Sequence, residues 1–213
     1  TGEDTLSLHD ALPISRAHLQ ALAREAAPAD QVQYVLLESQ LLRDANRNDD
    51  AFTVLDDALR QSPDNPDLLY ESALMAERIG RVEVMEGRLR KLIALKPDHA
   101  HAYNALGYSL VDRNLRLDEA ETLIRKGLAL APNDPFIIDS LGWAQYRRGK
   151  LTDALETLQK AFALRADPEI AAHLGEVLWM LGRKEEAAKT WRDAAKAHPD
   201  NTVLADVIKK FKL

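Results

Sequence analysis

The chain has 213 residues, of which 46% are hydrophobic and 29% charged, and this composition is typical of a globular protein with a buried core. Its formal net charge is −6 at pH 7, which argues against a nucleic-acid partner, because phosphate binding favours basic surfaces. It has no cysteine and no apolar run near the roughly 18 residues that cross a bilayer, so disulfides, thiolate metal sites and direct membrane insertion by this chain are not expected.

The N-terminal segment, residues 1–15, carries no feature of the helical pattern that follows it. The stretch from Thr5 to Ile14 resembles a translated short-read sequencing adapter joined to a truncated reading frame, so residues 1–15 are expected to be a non-native or disordered tail. A natural signal peptide or lipidation site would then lie upstream, and localisation is not readable here. Residues 16–31 hold leucines and alanines at helical spacing and are interpreted as the remnant helix of a truncated repeat.

A pattern of about 34 residues repeats through the rest of the chain. Pro63 and Pro97 lie 34 residues apart, and the sequence that starts at Pro135 matches the one that starts at Pro168. Such a period indicates stacked helix-turn-helix units. It predicts five repeats within residues 32–201, at 32–65, 66–99, 100–134, 135–167 and 168–201.

The helix starts and turns of these repeats share one chemistry. Asn65, Asp134 and Asp167 each precede a proline and are suited to cap a first helix. The turn inside each repeat requires a residue in the left-handed backbone conformation, which glycine and asparagine adopt most readily. The residues at this position are Asn46, Gly80, Asn114, Gly149 and Gly182. The third repeat has one extra residue near Leu115, in this turn.

These features resemble the tetratricopeptide repeat (TPR). The aligned pairs that carry the resemblance are Leu141-Gly142 over Leu174-Gly175, Gly149 over Gly182, and Ala154 over Ala187. The resemblance implies an all-α fold, a right-handed superhelix (α-solenoid) of antiparallel helix pairs. Residues 202–213 have apolar residues at helical spacing and lysines near the end, which predicts a C-terminal capping helix over the apolar face of the last repeat.

Several small and bulky residues at repeated positions are expected to be structural. Gly107, Gly142 and Gly175 fall where a first helix packs against the second helix of its repeat, so they allow the backbones to approach closely. Trp191 occupies a position where the family resemblance implies a core aromatic residue. These residues are therefore assigned to packing and not to recognition.

No catalytic, cofactor-binding or metal-binding motif emerges. In the cluster Asp98-His99-Ala100-His101, the two histidine side chains are expected to point in different directions at a helix start. No further metal ligands lie at useful spacing in the sequence. His173 has Glu176 three residues on but no nucleophile in register. The chain is therefore predicted not to be an enzyme, and no cofactor is expected.

The second stripe of the first helices is the candidate binding surface, because the family resemblance implies that it lines a concave groove. Exposed aromatic residues on such a surface are typical of recognition hot spots. The alternative is that these rings pack on a neighbouring helix. The candidate protein-binding residues are Tyr70, Tyr108, Phe136, Asp139, Trp143, Tyr146, Glu176 and Trp179. The groove has no lysine at the position that chaperone-binding members use to hold a carboxylate, and an apolar segment with some basic residues is the expected ligand.

Residues 100–183 are similar to the C-terminal repeats of large proteobacterial TPR proteins, many of which are outer-membrane lipoproteins that face the periplasm. One such group resembles adaptors that deliver substrates to a periplasmic C-terminal-processing protease. The resemblance implies a non-catalytic scaffold or adaptor that binds a protein or peptide, with a periplasmic protease and its substrates as partners. The alternative is an accessory repeat region of a larger enzyme, such as a glycosyltransferase, whose catalytic part is missing.

Overall fold

The computed structural model describes the backbone of residues 8–211 and the side chains of residues 16–27 and 30–211. This described part consists of twelve α-helices joined by short turns and holds no strand. The prediction of an all-α fold is therefore confirmed. The chain divides between Pro97 and Asp98 into two compact units, which are described in turn.

The first unit contains five of the helices. They are α1 Leu8–Glu25, α2 Pro28–Asp44, α3 Asn48–Gln61, α4 Pro66–Arg78 and α5 Val82–Leu95. Each helix packs against the next one in the chain, and α2 also contacts α4. Because α1 begins at Leu8, it includes the second half of the segment that the sequence assigns to a tail. The non-native origin of residues 1–15 stays a prediction, and residues 1–7 lie outside the described residues.

The second unit contains seven helices. They are α6 Ala100–Asp112, α7 Leu117–Leu130, α8 Pro135–Arg147, α9 Leu151–Leu164, α10 Pro168–Met180, α11 Lys184–Ala197 and α12 Thr202–Lys210. Three helical hairpins, α6–α7, α8–α9 and α10–α11, fall within the predicted repeat windows. The first helices α6, α8 and α10 are neighbours in one layer, and α12 packs on α10 and α11. This layer of first helices brings the candidate binding residues of the unit near one another.

The predicted N-caps are present at three first helices. The side chain of Asn65 accepts hydrogen bonds from the backbone N–H groups of Asp67 and Leu68 at 3.0 and 3.1 Å. Asp134 accepts from two backbone N–H groups at the start of α8, and Asp167 accepts from one at the start of α10. These bonds satisfy donors that the first turn of a helix otherwise leaves without a partner.

The turns also adopt the predicted left-handed conformation. All five predicted residues have positive φ, from 55° at Asn114 to 80° at Gly182. The extra residue of the third repeat lies between α6 and α7, where Arg116 also has a positive φ, of 44°. The connection between these helices thus absorbs the added residue inside the turn, and α7 then begins at Leu117.

Close packing of the last repeat depends on Gly175 and Trp191. A Cβ atom on Gly175 would collide with the indole ring of Trp191. That indole is fully buried, and its Nε1 donates a hydrogen bond to the carbonyl of Ala172 at 3.1 Å. The assignment of Trp191 to the core is therefore confirmed, and Gly175 is required for α10 and α11 to approach closely.

Among residues 8–211, none of the helices combines the length and the apolar character that crossing a membrane requires.

Candidate protein-binding surface

The candidate residues of the second unit lie on the first helices α6, α8 and α10. On α8 they are spaced three or four residues apart, so Phe136, Asp139, Trp143 and Tyr146 project from one side of the helix. Glu176 lies on the adjacent α10, and Tyr108 lies on α6. The structure brings some of these side chains together and separates others.

Asp139 forms a buried pair with His173 and joins α8 to α10. The Nδ1 atom of His173 lies 3.0 and 2.9 Å from the two carboxylate oxygens of Asp139. Burial disfavours the imidazolium, but the carboxylates of Asp139, Glu169 and Glu176 outweigh it and raise the pKa of His173. Since Asp139 is buried, its charge is neutralised inside the protein and is not presented to a ligand as the sequence analysis expected.

Trp143 is 7% exposed, so its ring contributes mainly to packing between α8 and α10. It stacks on the imidazole of His173 with ring centroids 4.2 Å apart, and it contacts Tyr146 at 4.8 Å. This is the packing alternative that the sequence left open. Its buried Nε1 has no hydrogen-bond partner within the described part of the chain. The ring of Tyr108 lies 6.2 Å from that of His173, so the aromatic cluster spans α6, α8 and α10.

A cleft of about 660 Å³ opens beside this cluster. Three candidate residues meet there: Trp143, Tyr146 and Glu176. The hydroxyl of Tyr146 donates to a carboxylate oxygen of Glu176 at 3.2 Å. Burial and the neighbouring Glu176 carboxylate raise the pKa of Tyr146 to about 12, so it remains a hydrogen-bond donor at neutral pH. The other lining residues are Asp112, Arg147, Gly149, Leu151, Met180 and Lys210.

Lys210 of α12 completes the cleft. Its ammonium lies 3.0 and 3.1 Å from the two carboxylate oxygens of Glu176. The sequence predicts a capping role for α12, and that prediction does not include this contact. A signal was available, because Glu176 and Lys210 are 34 residues apart, the same separation as between Asp139 and His173.

Trp179 belongs to a second aromatic cluster and does not line the cleft. Its ring centroid lies 5.1 Å from that of Phe211 and 6.0 Å from that of Trp191. Phe211 in turn stacks on Trp191 at 4.9 Å. The ammonium of Lys184 lies 5.1 Å from the Trp179 ring. This cluster closes the last repeat under α12 and leaves Trp179 partly buried.

The two remaining candidates lie away from the cleft. Phe136 is 39% exposed at the start of α8, with the guanidinium of Arg165 about 5.1 Å from its ring centroid. Tyr70 lies on α4 of the first unit and is partly buried there. Tyr108, Trp143 and Tyr146 thus belong to one aromatic cluster of the second unit, whereas Phe136 and Trp179 lie outside it. The role of these residues in binding stays a prediction.

The histidines near the start of α6 have local structural roles. The Nδ1 atom of His99 accepts a hydrogen bond from the backbone N–H of Ala102 at 3.1 Å, which makes His99 the N-cap of α6. The Nε2 atom of His101 lies 3.8 Å from the carboxylate of Asp134. The residues that the structure describes contain no group of three or more His, Cys, Asp or Glu side chains that could hold a metal ion.

The first unit has its own cleft, of about 440 Å³, between α3, α4 and α5. Four of its five charged side chains, all except Glu83, form ion pairs within the unit. Arg88 pairs with Asp56, and Lys91 lies 2.8 Å from Asp64 and donates to the carbonyl of Pro63 at 2.7 Å. Aliphatic residues and glycine form much of the rest of its lining, which includes Leu59, Leu69, Val84 and Gly87.

The helical hairpins, their turn residues and the close-packed glycines define a helical-repeat protein. The family model for the tetratricopeptide repeat matches residues 13–66, 36–84, 86–135 and 140–202. The chain belongs to the tetratricopeptide repeat family. Proteins of this family are generally non-catalytic, and their fold is typical of scaffolds for protein–protein interaction.

Among curated proteins, the chain is 43% identical over 154 residues to the TPR repeat-containing protein PA4667 of Pseudomonas aeruginosa. The match covers 72% of this chain and 26% of that protein, so the chain spans about a quarter of the length of this relative.

Solved structures share the fold. A thermophilic TPR protein of Thermus thermophilus matches with a TM-score of 0.76 and 24% identity, over 85% of this chain and 99% of that one. MamA of Desulfovibrio magneticus matches with a TM-score of 0.63 and 21% identity, over 82% of this chain and 99% of that one. A chain of the APC/C hetero-tetramer Cut9–Hcn1 matches with a TM-score of 0.76 and 14% identity, over 97% of this chain and 42% of that one. These likenesses confirm the α-solenoid fold.

Proposed function

We propose that the chain is a non-catalytic scaffold that binds a protein or peptide segment on the first helices of its second unit. The observation that carries this proposal is the cleft in which Trp143, Tyr146 and Glu176 meet. It combines an aromatic wall, the exposed side chain of Met180 and a few polar groups at fixed positions. Such a combination suits the burial of an apolar side chain whose orientation is set by hydrogen bonds.

The chemistry of the cleft favours a ligand with an apolar anchor. Glu176, one of its two acidic residues, is already engaged by Tyr146 and Lys210, so the cleft is less acidic than the sequence indicates. The guanidinium of Arg147 lies about 6.0 Å from the Trp143 ring and donates to the carbonyl of Asp112 at 3.3 Å. A partner segment therefore meets aromatic and aliphatic surface framed by two cations, Arg147 and Lys210, and by two acidic residues, Asp112 and the paired Glu176.

A photo-crosslinking experiment tests this proposal. A photoreactive residue replaces Met180, which is 54% exposed at the cleft, and the matched control replaces Leu164, which is 50% exposed at the end of α9. We expect a partner adduct from position 180 and none from position 164. Adding Tyr146→Ala, which removes part of the cleft wall, should abolish the adduct. Equal labelling from both positions, or an adduct that survives Tyr146→Ala, contradicts a specific cleft.

We further propose that the partners are a periplasmic protease and its substrates, and that the full protein is a lipoprotein on the periplasmic side of the outer membrane. This finer assignment rests on the resemblance of residues 100–183 to periplasm-facing TPR proteins. Sequencing the complete gene and fractionating its product test it. A lipobox cysteine after a signal peptide, with recovery in the outer-membrane fraction, is the expected result. Recovery in the cytoplasmic fraction would overturn it and leave the cleft proposal intact.

A further inference from the structure

Helix α12 takes the place that the first helix of another repeat would take. The side chain of Asn201 caps it by accepting from the backbone N–H of Leu204 at 3.0 Å, as Asn65 and Asp134 do at earlier first helices. Leu204 is fully buried, and it has the same position in α12 as the buried Ile170 has in α10. Because α12 contacts both α10 and α11, it occupies a surface that these two helices form.

Two adjacent side chains at the C-terminal end of α12, its last residue Lys210 and its C-cap Phe211, make the contacts that define this surface. Phe211 packs on Trp179 and Trp191, and the ammonium of Lys210 pairs with Glu176. An apolar anchor next to a cation thus engages two of the candidate recognition residues. Glu176 is largely buried, so it is unfavourable for this carboxylate to lose its cation without a replacement.

The attachment of α12 is small. The helix has nine residues, and a helix shorter than about 12 residues is marginal unless it is docked. Leu204 is its one fully buried residue within the described part, whereas Val207, Ile208 and Phe211 are partly buried. A competing helix can therefore replace its contacts without unfolding the hairpins beneath it.

We propose that α12 is an internal occupant of this α10–α11 surface, and that the external partner is an amphipathic helix of the same chemistry. The partner helix carries a leucine, an aromatic residue seven positions later and a lysine or arginine directly before the aromatic residue. It displaces α12, pairs its cation with Glu176 and packs its ring against Trp179 and Trp191, as Phe211 does. This inference rests on the proposed scaffold function and adds a second surface beside the cleft, with Glu176 common to both.

The test uses a fluorescent synthetic peptide with the sequence of residues 201–213 and the full-length chain. In the double variant Lys210→Ala/Phe211→Ala the internal helix is weakened, so the peptide should bind at least about tenfold more tightly than to the wild type. The matched double variant Val203→Ala/Lys209→Ala changes two exposed positions of the same helix and should bind like the wild type. A peptide with its first and second lysines changed to glutamate and its phenylalanine to alanine should not bind either protein.

Binding that is equal in the wild type and the weakened variant, or no binding to a weakened variant that keeps its helical circular dichroism, overturns the inference. If the weakened variant does not fold, hydrogen exchange measured on the wild type tests the inference instead. Amides of α12 should exchange faster than those of α10, and excess peptide should deprotect α12 further. The inference is also overturned if the amides of α12 exchange only when the whole protein unfolds. The scaffold proposal can be tested separately, because partner crosslinking at position 180 reports on the cleft and does not depend on whether the bound segment resembles α12.

Discussion

The clefts of the two units differ less in size than in the origin of their charges. In the first unit, the cleft lies largely on the second helices α3 and α5, and Arg88 and Lys91 are paired with acids from adjacent repeat elements. In the second unit, the cleft lies on first helices, and a cation from the terminal helix α12 pairs with Glu176. The first cleft is neutralised by elements inside the hairpins. The second takes its pairing cation from the terminal helix α12, and for this reason we propose that recognition takes place there.

The largest effect on stability is expected at the aromatic cluster of the second unit. Trp143→Ala removes a ring that stacks on His173 and is 7% exposed, so the free energy of unfolding should fall by about 3–5 kcal/mol. Urea denaturation of the full chain measures this. The control Val84→Ala, in the first cleft, alters a residue that is 37% exposed and should cost less than about 1 kcal/mol. If Trp143→Ala leaves stability unchanged and removes crosslinking at position 180, the ring acts as a ligand contact and not as core.

A smaller effect is expected for the terminal helix. Phe211→Ala should lower the free energy of unfolding by about 2 kcal/mol, less than for a core phenylalanine because the ring is only partly buried. The fluorescence of Trp179 and Trp191 should change with it, since both rings lose their neighbour. Thermal melting followed by fluorescence makes the measurement. An unchanged melting temperature would show that α12 is not docked in solution.

In the first unit, Arg88→Ala should cost about 1 kcal/mol, because the lost pair with Asp56 and the lost contact over the Phe52 ring are partly exposed. Crosslinking at position 180 should not change. The control Arg60→Ala removes a much more exposed partner of the same aspartate and should have a still smaller effect. Loss of partner crosslinking in Arg88→Ala would mean that the first cleft takes part in recognition.

The smallest effect is expected from the titration of His173. Its pKa is raised in the folded state, so the folded protein holds the proton to higher pH than the unfolded chain. The resulting stabilisation is complete below about pH 6.5, the unfolded value, and is lost as pH rises through the folded pKa. The loss is limited because neutral imidazole can still donate Nδ1–H to Asp139. Comparing urea midpoints across this range with those of Asp139→Asn, where the trend should flatten, checks the assignment.

The helix starts and turns of this protein could be predicted from sequence because they depend on local backbone chemistry. A capping side chain at Asp134 or a left-handed residue at Gly149 is decided within a few residues. Trp191 could be assigned to the core because the family resemblance implies a core aromatic residue at its position in the repeat. Predicting these features does not require knowing which side chains the next helix presents.

The burial of the candidate binding residues could not be predicted in the same way. Trp143 and Asp139 are buried because α10 happens to present His173 at the adjoining position, where the periodic pattern does not prescribe a residue type. Likewise, Glu176 is neutralised by Lys210 from an element that the sequence assigns only to capping. Whether a side chain on the repeat surface is exposed thus depends on the residue that lies about one repeat period away in the sequence and packs against it.

The longer turn between α6 and α7 has a consequence for engineering. It already holds one more residue than the other hairpin turns, with left-handed conformations at Asn114 and Arg116. Both helices retain their hairpin packing around it. A reporter segment inserted beside the exposed Leu115 should therefore be tolerated, since loop closure cost rises only slowly with length. Such an insertion would give a labelled protein in which the residues of α12 and their contacts are unchanged.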